Sequence, residues 1–278
     1  MLRMFGATIW TDAFLVAFRI PNFMRRLFAE GSFSLAFVPV LNEIKSQDRE
    51  AYLKQFINHV SGCLLAVLLL VLALMELFAP GVVHLFAPGL SNKPPEVFEA
   101  TVDMLRLTLP YLLLISLVAF SGGILNSFNR FAVPAMTPIL LNLCLIMAMY
   151  FGASHFEVPE KSMAWGVLIA GVVQLLFQVP ALMRLGMLPK PVVKFHDPEV
   201  KKVMTLMVPT LFGSSVAQVN LLIDTLIATM LPLVGSVTIL YAADRLVEFP
   251  LGMFGIAIST VILPKLSFAF AQKNEDEY

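Results

Sequence analysis

Two stretches of the sequence place charged side chains within apolar surroundings. An arginine at the centre of a bilayer costs about 2.5–3.5 kcal/mol on insertion scales, so such residues are expected to face protein or a water-filled cavity. The first stretch is FRIPNFMRRLFAEG, residues 18–31, and the second is ADRLVEF, residues 243–249. Guanidinium groups bind phosphate oxygens in pairs and stay charged when desolvated. We therefore predict that Arg25, Arg26 and Arg245 bind an anionic ligand carrying a diphosphate.

The spacing of the acidic residues leaves a simpler alternative open. On a helix, Arg26 and Glu30 lie four residues apart and can pair, and Arg245 and Glu248 lie three apart. Asp12 lies seven residues before Arg19, so the two share a helix face. These charges would then hold helices together, or extend to the membrane interface, without binding any ligand.

The composition indicates an integral membrane protein. The chain has 278 residues, of which 58% are hydrophobic and only 14% are charged, whereas soluble domains average about 25% charged residues. The formal net charge is zero, which gives no indication of a nucleic-acid partner. Long apolar runs separated by short polar loops predict an all-α, polytopic transmembrane bundle and not a barrel of short alternating strands. Seven spans are predicted, at about 8–41 (broken), 56–79, 104–126, 131–152, 162–183, 203–233 and 236–264.

Lysine and arginine in the loops predict the orientation of these spans. They concentrate after the first, third, fifth and seventh spans, so these loops are expected to be cytoplasmic. The longest loop is basic and contains prolines. We interpret it as a cytoplasmic linker, which predicts three parts: a first helical lobe at 1–185, a linker at 186–202 and the start of a second lobe at 203–278.

Catalytic and metal-binding patterns are not found in the sequence. Cys63 and Cys144 lie in separate apolar runs and are expected to pack between helices, without forming a disulfide or a metal site. The sequence offers no Ser-His-Asp or Cys-His arrangement and no glycine-rich phosphate loop. An enzyme, a cofactor and a metal ion are therefore not predicted.

Four longer motifs resemble the MurJ/MviN family of lipid II flippases, within the multidrug/oligosaccharidyl-lipid/polysaccharide exporter superfamily. They are TDAFLVAFRIPNFMRRLFAEGSFSLAFVPVLNE (11–43), LPYLLLISLVAFSGGILNSFNRFAVPAMTPILLN (109–142), KFHDPEVKKVMTLMVPTLFG (194–213) and YAADRLVEFPLGMFGIAISTVILPKLS (241–267). The resemblance implies two helical lobes around a central cavity in the bacterial inner membrane. It also implies that the protein moves a peptidoglycan precursor linked to undecaprenyl diphosphate out of the cytoplasmic leaflet by alternating access.

The resemblance implies roles for six residues and a partial fold. Arg25, Arg26 and Arg245 would bind the diphosphate, and Asp12, Glu30 and Glu248 would shape the cavity or its gates. Family members have fourteen helices, and by its resemblance the chain is expected to correspond to helices two to eight of these. The expected partners are lipid II or a related polyprenyl-diphosphate glycolipid and membrane lipids, with cell-wall synthases as further candidates.

Other functions remain open from the sequence. The ligand could be another polyprenyl-diphosphate oligosaccharide, since the same arginine chemistry would bind its headgroup. The chain could also be a fragment without transport activity or a structural membrane protein. A membrane enzyme that acts on lipid-linked sugars would need an acid–base pair, which the sequence does not offer.

Overall fold

A computed structural model of the protein describes residues 1–26, 33–47 and 49–250, apart from the side chains of Ser214, Val216 and Ala217. Every regular element in these ranges is helical, which confirms the predicted all-α fold. Ten α-helices are described: α1 Leu2–Phe5, α2 Ile9–Arg25, α3 Ser34–Ser46, α4 Glu50–Leu77, α5 Ala79–Phe86, α6 Pro95–Ser127, α7 Ala132–Met147, α8 Lys161–Arg184, α9 Pro198–Met230 and α10 Ser236–Pro250. Short helical turns follow α5 and α7 at Pro88–Asn92, Ala148–Gly152 and Ala153–His155.

The membrane-spanning helices agree with the predicted runs in position but not in number. Among the described residues, four helical stretches are long and apolar enough to cross a membrane: α4, α6, α8 and the stretch Ala132–His155. A fifth is obtained if Pro198–Gly213 and Gln218–Met230, which are bent by 49°, count as one span. The predicted total of seven is therefore not confirmed. The predicted broken first span contains α2 and α3, and most of the seventh lies outside the described residues.

The starts of α2 and α9 follow from their capping residues. Thr8 caps α2, because its side-chain oxygen accepts a hydrogen bond of 3.1 Å from the Thr11 amide. Asp197 caps α9 by accepting from the amides of Glu199, at 2.9 Å, and Val200, at 3.4 Å. Pro198 occupies the first position of α9, where its missing N–H is not needed. Both caps also contact other helices.

Two apolar cores hold the bundle together. The larger core packs α2 against α6 and α8, with contributions from α4, α5, α9 and α10. The smaller core joins α3, the first half of α4, the end of α6 and the beginning of α9. Four phenylalanines stack in this smaller core, with ring centroids 4.9–5.9 Å apart: Phe33, Phe37, Phe56 and Phe120. The first turns of α9 therefore pack with the helices of the first predicted lobe.

The segment between α8 and α9 lies against α4. We call residues 187–197 the strap. The amide of Val192 donates to the carbonyl oxygen of Asn58 at 3.0 Å, and the amide of Lys190 donates to the Asn58 side-chain oxygen at 2.7 Å. The amide of Lys194 donates to the sulfur of Cys63 at 3.3 Å. Polar backbone groups of an extended segment are thus satisfied by one helix.

A close backbone approach and a buried hydrogen bond between His59 and Asp197 complete the attachment of the strap. A Cβ atom at Gly62 would overlap the backbone of Val192, so the strap can lie this close to α4 only because residue 62 is glycine. The Nδ1 atom of His59 lies 2.8 Å from an Asp197 carboxylate oxygen, and both side chains are buried. Burial raises the pKa of the Asp197 carboxyl, but hydrogen bonds from His59 and two backbone amides outweigh it, so the pKa lies below its ordinary value.

The strap overlaps the linker predicted from the sequence. The strap and the connections between α3 and α4 and between α6 and α7 lie at one end of the bundle, which we call the basic face. The opposite end, where α2, α8 and α10 begin, is called the Asp12 face. Because α9 begins at Pro198, the predicted linker of residues 186–202 includes the first turn of a helix, and the predicted lobe boundaries stay a prediction.

Candidate functional site

The candidate site lies between α2 and α10. Asp12 and Arg19 lie on α2 and Arg26 directly follows it, at intervals of seven residues, so all three fall on one face. The α10 helix runs beside this face and contacts it at three levels, from the Asp12 face towards the basic face. Each level places a charged side chain of α2 opposite a polar or oppositely charged group of the second predicted lobe.

At the first level, the Asp12 carboxylate binds the beginning of α10. One oxygen accepts from the Gly235 amide at 2.9 Å, and the other accepts from the Thr238 amide and hydroxyl at 2.8 and 2.6 Å. Gly235 has a φ of +83°, a conformation that favours glycine and that directs this amide at the carboxylate. The unsatisfied amides and the dipole of a helix N-terminus attract an anion. We call this contact between Asp12 and the Gly235 and Thr238 groups the latch.

At the second level, Arg19 bridges α2 to both helices of the second predicted lobe. Its Nη2 atom forms an ion pair of 2.8 Å with Asp244 of α10, and its Nη1 atom donates to the Thr225 hydroxyl of α9. The Arg19 side chain is only 12% exposed. A buried guanidinium is stable only with such partners, because its desolvation is otherwise too costly.

At the third level, one carboxylate lies between two arginines. Arg26 lies 3.8 Å from Glu248, and Arg245 donates to the other oxygen of Glu248 at 2.9 Å. Arg245 also donates to the Tyr241 hydroxyl at 3.2 Å. Glu248 is 46% exposed and Arg245 is 52% exposed, so these pairs exchange readily with water or with another anion.

The second and third levels line a small cavity. Its free volume is about 50 Å³, room for about three or four water molecules. The charged lining residues are Arg19, Arg26, Asp244, Arg245 and Glu248, and Tyr241, Asn22 and Gln218 supply polar groups. Among the residues that the structure describes, three guanidinium groups thus face two carboxylates. The cavity in this conformation is too small for a glycolipid headgroup, because the ion pairs draw α2 and α10 together.

The structure brings together some of the residues predicted from the sequence. Arg26, Arg245 and Glu248 meet in the cavity, and Asp12 lies at the end of the same pair of helices. Arg25 is not among the residues that line this cavity, and its Nε atom donates to Asn22 at 3.0 Å. Glu30 lies outside the described residues. The roles assigned to these residues stay predictions.

Arg19 and Asp244 belong to the site but are not among the site residues predicted from the sequence. Arg19 was predicted only to share a helix face with Asp12, and Asp244 was not predicted as a site residue. The recurrence of charge at positions 12, 19 and 26 was the available signal, because side chains seven apart face the same neighbour. The partner of Arg19 depends on the tertiary packing of α10, which no local pattern encodes.

Comparisons with known proteins identify the family. The family model described as "Lipid II flippase MurJ" matches residues 1–278. The chain belongs to the MurJ family. It is 45% identical to the probable lipid II flippase MurJ of Haemophilus influenzae over 95% of this chain, and 43% identical to the lipid II flippase MurJ of Burkholderia cenocepacia over 99%.

A solved MurJ structure shares the fold. It is described as lipid II flippase MurJ in an inward closed conformation, with a TM-score of 0.80 and 26% identity over 98% of this chain and 55% of that one. The chain spans about half the length of the MurJ relatives it matches, 53% for Haemophilus influenzae and 54% for Burkholderia cenocepacia. In the described residues, no group of three or more His, Cys, Asp or Glu side chains is arranged to hold a metal ion.

Proposed function

We propose that this chain forms the first part of a flippase that moves lipid II, or a closely related undecaprenyl-diphosphate glycolipid, from the cytoplasmic to the periplasmic leaflet of the bacterial inner membrane. The observation that supports this most directly is the convergence of Arg19, Arg26 and Arg245 in one cavity within an apolar helical bundle. Membership of the MurJ family is the second support. The transport activity belongs to the whole protein, of which the relatives have about twice this length.

The proposed role of the arginines is to replace the water around the diphosphate. Arg19 pairs with Asp244, and Arg26 and Arg245 share Glu248. A diphosphate that enters between α2 and α10 competes for the same guanidinium groups, since both ligands accept charge-assisted hydrogen bonds. The carboxylates then lose their partners, and the ion pairs that hold α2 to α10 break as the substrate binds.

The proposed movement is an alternation between two openings of the cavity. Release of the latch would separate the start of α10 from Asp12 and open the Asp12 face. Loss of the pairs at Glu248 would open the opposite side. The charge moved with the substrate makes the cycle sensitive to the membrane potential, at about 2.3 kcal/mol per charge per 100 mV. In this proposal the first lobe extends to about residue 185 and the second begins in α9.

A second ligand of the same chemistry is another polyprenyl-diphosphate oligosaccharide. The arginines of this cavity would bind only the diphosphate part of either ligand, so they alone do not select the sugar. Depletion of each pathway in turn, followed by rescue with this protein, distinguishes the two substrates. Cell-wall synthases remain proposed partners that co-purification would test.

The decisive experiment is complementation of cells depleted of their lipid II flippase. The full-length protein and the chain of 278 residues are expressed separately. Arg25→Ala, Arg26→Ala and Arg245→Ala are each made as a single substitution in the full-length protein. Each substitution in the cavity is expected to abolish growth while membrane insertion stays normal. Arg49→Ala is the matched control, because Arg49 stacks on Tyr52 at the basic face, away from the cavity.

Two outcomes of this experiment contradict parts of the proposal. Full growth with all three arginine variants would exclude the diphosphate role of Arg25, Arg26 and Arg245. Failure of the unsubstituted full-length protein to restore growth, while it restores another polyprenyl-diphosphate pathway, would reassign the substrate. Growth supported by the 278-residue chain alone would show that this part is sufficient for transport.

A further inference from the structure

Glu160 is a buried carboxylate that the proposed transport steps do not use. It directly precedes α8 at the Asp12 face and is 4% exposed. Its Oε1 atom lies 3.3 Å from the hydroxyl oxygens of both Thr8 and Thr11, and these two hydroxyls lie 3.0 Å apart. The neighbouring Lys161 pairs instead with Asp103, at 3.1 Å. Glu160 therefore connects the beginning of α8 to the beginning of α2.

The two threonines belong to the turn of α2 that carries Asp12. Thr8 caps this turn through the Thr11 amide, and the Thr8 carbonyl accepts from the Asp12 amide at 3.1 Å. The first turn of any helix opens easily, because its amides lack helical partners. Side-chain contacts from another helix are therefore needed to keep Asp12 in a fixed position.

The other oxygen of Glu160 makes this carboxylate an unusual group to bury. Its Oε2 atom is buried and has no hydrogen-bond partner among the described residues. An unsatisfied buried acceptor is unfavourable, and such groups in native structures are rare enough to need an explanation. The only hydrogen bonds described for this carboxylate go to Thr8 and Thr11. Both bonds lie in the turn of α2 that carries Asp12, and therefore beside the latch.

We propose that Glu160 is a positioning residue for the latch: from the start of α8 it holds the first turn of α2, so that the Asp12 carboxylate meets the amides of Gly235 and Thr238. The inference rests on the proposed function only in taking the latch as a gate. It extends that gate from a contact between α2 and α10 to one that also includes α8. Opening of the latch is then governed by the Thr8–Glu160 and Thr11–Glu160 hydrogen bonds as well as by Asp12.

The test measures latch opening directly and without substrate. In full-length protein whose native cysteines are replaced by serine, Ser236→Cys places one thiol beside the latch. Ser236 lies between Gly235 and Thr238 and is 8% exposed, so opening of the latch should raise the rate at which a water-soluble maleimide labels it. Glu160→Leu removes the acceptor, and the loss of about 1 kcal/mol of hydrogen bonding should increase the labelling rate about fivefold. Glu160→Gln keeps an acceptor oxygen and should label at a rate close to that of the parent.

Controls separate this role from a general loss of stability. Lys161→Gln breaks the adjacent surface pair at the same end of α8 and should leave labelling unchanged. Asp12→Asn should increase labelling, and the combination of Asp12→Asn with Glu160→Leu should add little, because both act on one contact. Equal labelling in Glu160→Leu and its parent, or additive effects in the double variant, would overturn the proposal. Because labelling needs no substrate, a protein that fails to transport lipid II would leave this result intact.

Discussion

The strap and the latch join the two predicted lobes in different ways. The strap holds α9 to α4 through backbone amides, the buried His59–Asp197 hydrogen bond and a contact at Gly62 that leaves no space for a side chain. The latch holds α10 to α2 through one carboxylate that accepts three hydrogen bonds from one helix end. All three latch bonds are buried, whereas the Lys190–Asn58 bond of the strap is exposed. The two attachments differ in the number of groups that form them, because the latch depends on one side chain and the strap on several backbone and side-chain groups.

This difference indicates where the molecule moves. A contact made by backbone groups and close packing is lost only at a high cost, because its buried donors and acceptors would be left unpaired. A contact made by a single charged side chain at a helix end can be lost through a change in that side chain alone. We therefore expect the basic face to be the more permanent attachment and the Asp12 face to be the more reversible one.

The largest expected effect comes from Gly62→Ala. The added methyl group would overlap the Val192 backbone, which cannot move aside as a flexible side chain can. We expect the free energy of unfolding to fall by about 3 kcal/mol, the upper range for an overpacked interior. Thermal unfolding of the purified protein in detergent measures this loss. Gly81→Ala is the matched control, since no atom lies within 4 Å of a Cβ there, and equal melting temperatures of the two variants would contradict the fixed strap.

The helices and the charged residues of the site were predictable from the sequence for different reasons. Apolar runs long enough to cross a membrane predict helices whatever their neighbours are, so α4, α6 and α8 fall close to the predicted spans. Arg26 and Arg245 were recognised because charge within an apolar run is costly and therefore informative. Both signals are local, and neither depends on knowing which helices pack together.

The strap and the contacts of Glu160 could not be predicted in the same way. Asn58 and Gly62 are ordinary residues within a long helix, and their significance comes from a segment about 130 residues away. Glu160 follows a proline in a loop, where an acidic residue is expected to be solvated. Its burial results from the packing of α8 against α2, which no spacing in the sequence specifies.

The second-largest effect is expected from Asp12→Asn, which weakens the latch. Asparagine keeps the size of the side chain but removes the negative charge that the α10 N-terminus attracts. Hydrogen bonds to charged groups contribute about 1.5–3 kcal/mol, so the latch should open at least about tenfold more often. Labelling of Ser236→Cys measures this change, and Asp103→Asn on the same face is the control. The melting temperature should change little, and a large loss of stability would show that the latch is as permanent as the strap.

A smaller effect is expected from Asp197→Asn, and it should depend on pH. Asparagine still caps α9, so only the charge of the carboxylate beside His59 is lost. Because the pKa of Asp197 is lowered in the folded protein, its charged form stabilises the fold above the ordinary carboxyl pKa of about 3.9, and this contribution is lost as the pH falls through the lowered value. The wild type should melt higher than the variant at neutral pH, and the difference should shrink in acid. A difference in melting temperature that grows as the pH falls would contradict the stabilising effect of the charged Asp197.

The smallest effect is expected from the ion pair between Lys202 and Glu43, although the two side chains lie close together. Lys202 of α9 approaches Glu43 of α3 at 2.6 Å, but the two side chains are 43% and 53% exposed. Exposed pairs of this kind contribute little, because water and salt screen the charges and both side chains lose freedom. Lys202→Gln should therefore leave the melting temperature unchanged at both low and high salt, although it removes a bridge from α9 to α3 of the first predicted lobe. A clear loss at low salt that disappears at high salt would show instead that surface charge, and not buried backbone contacts, holds α9 to the first lobe.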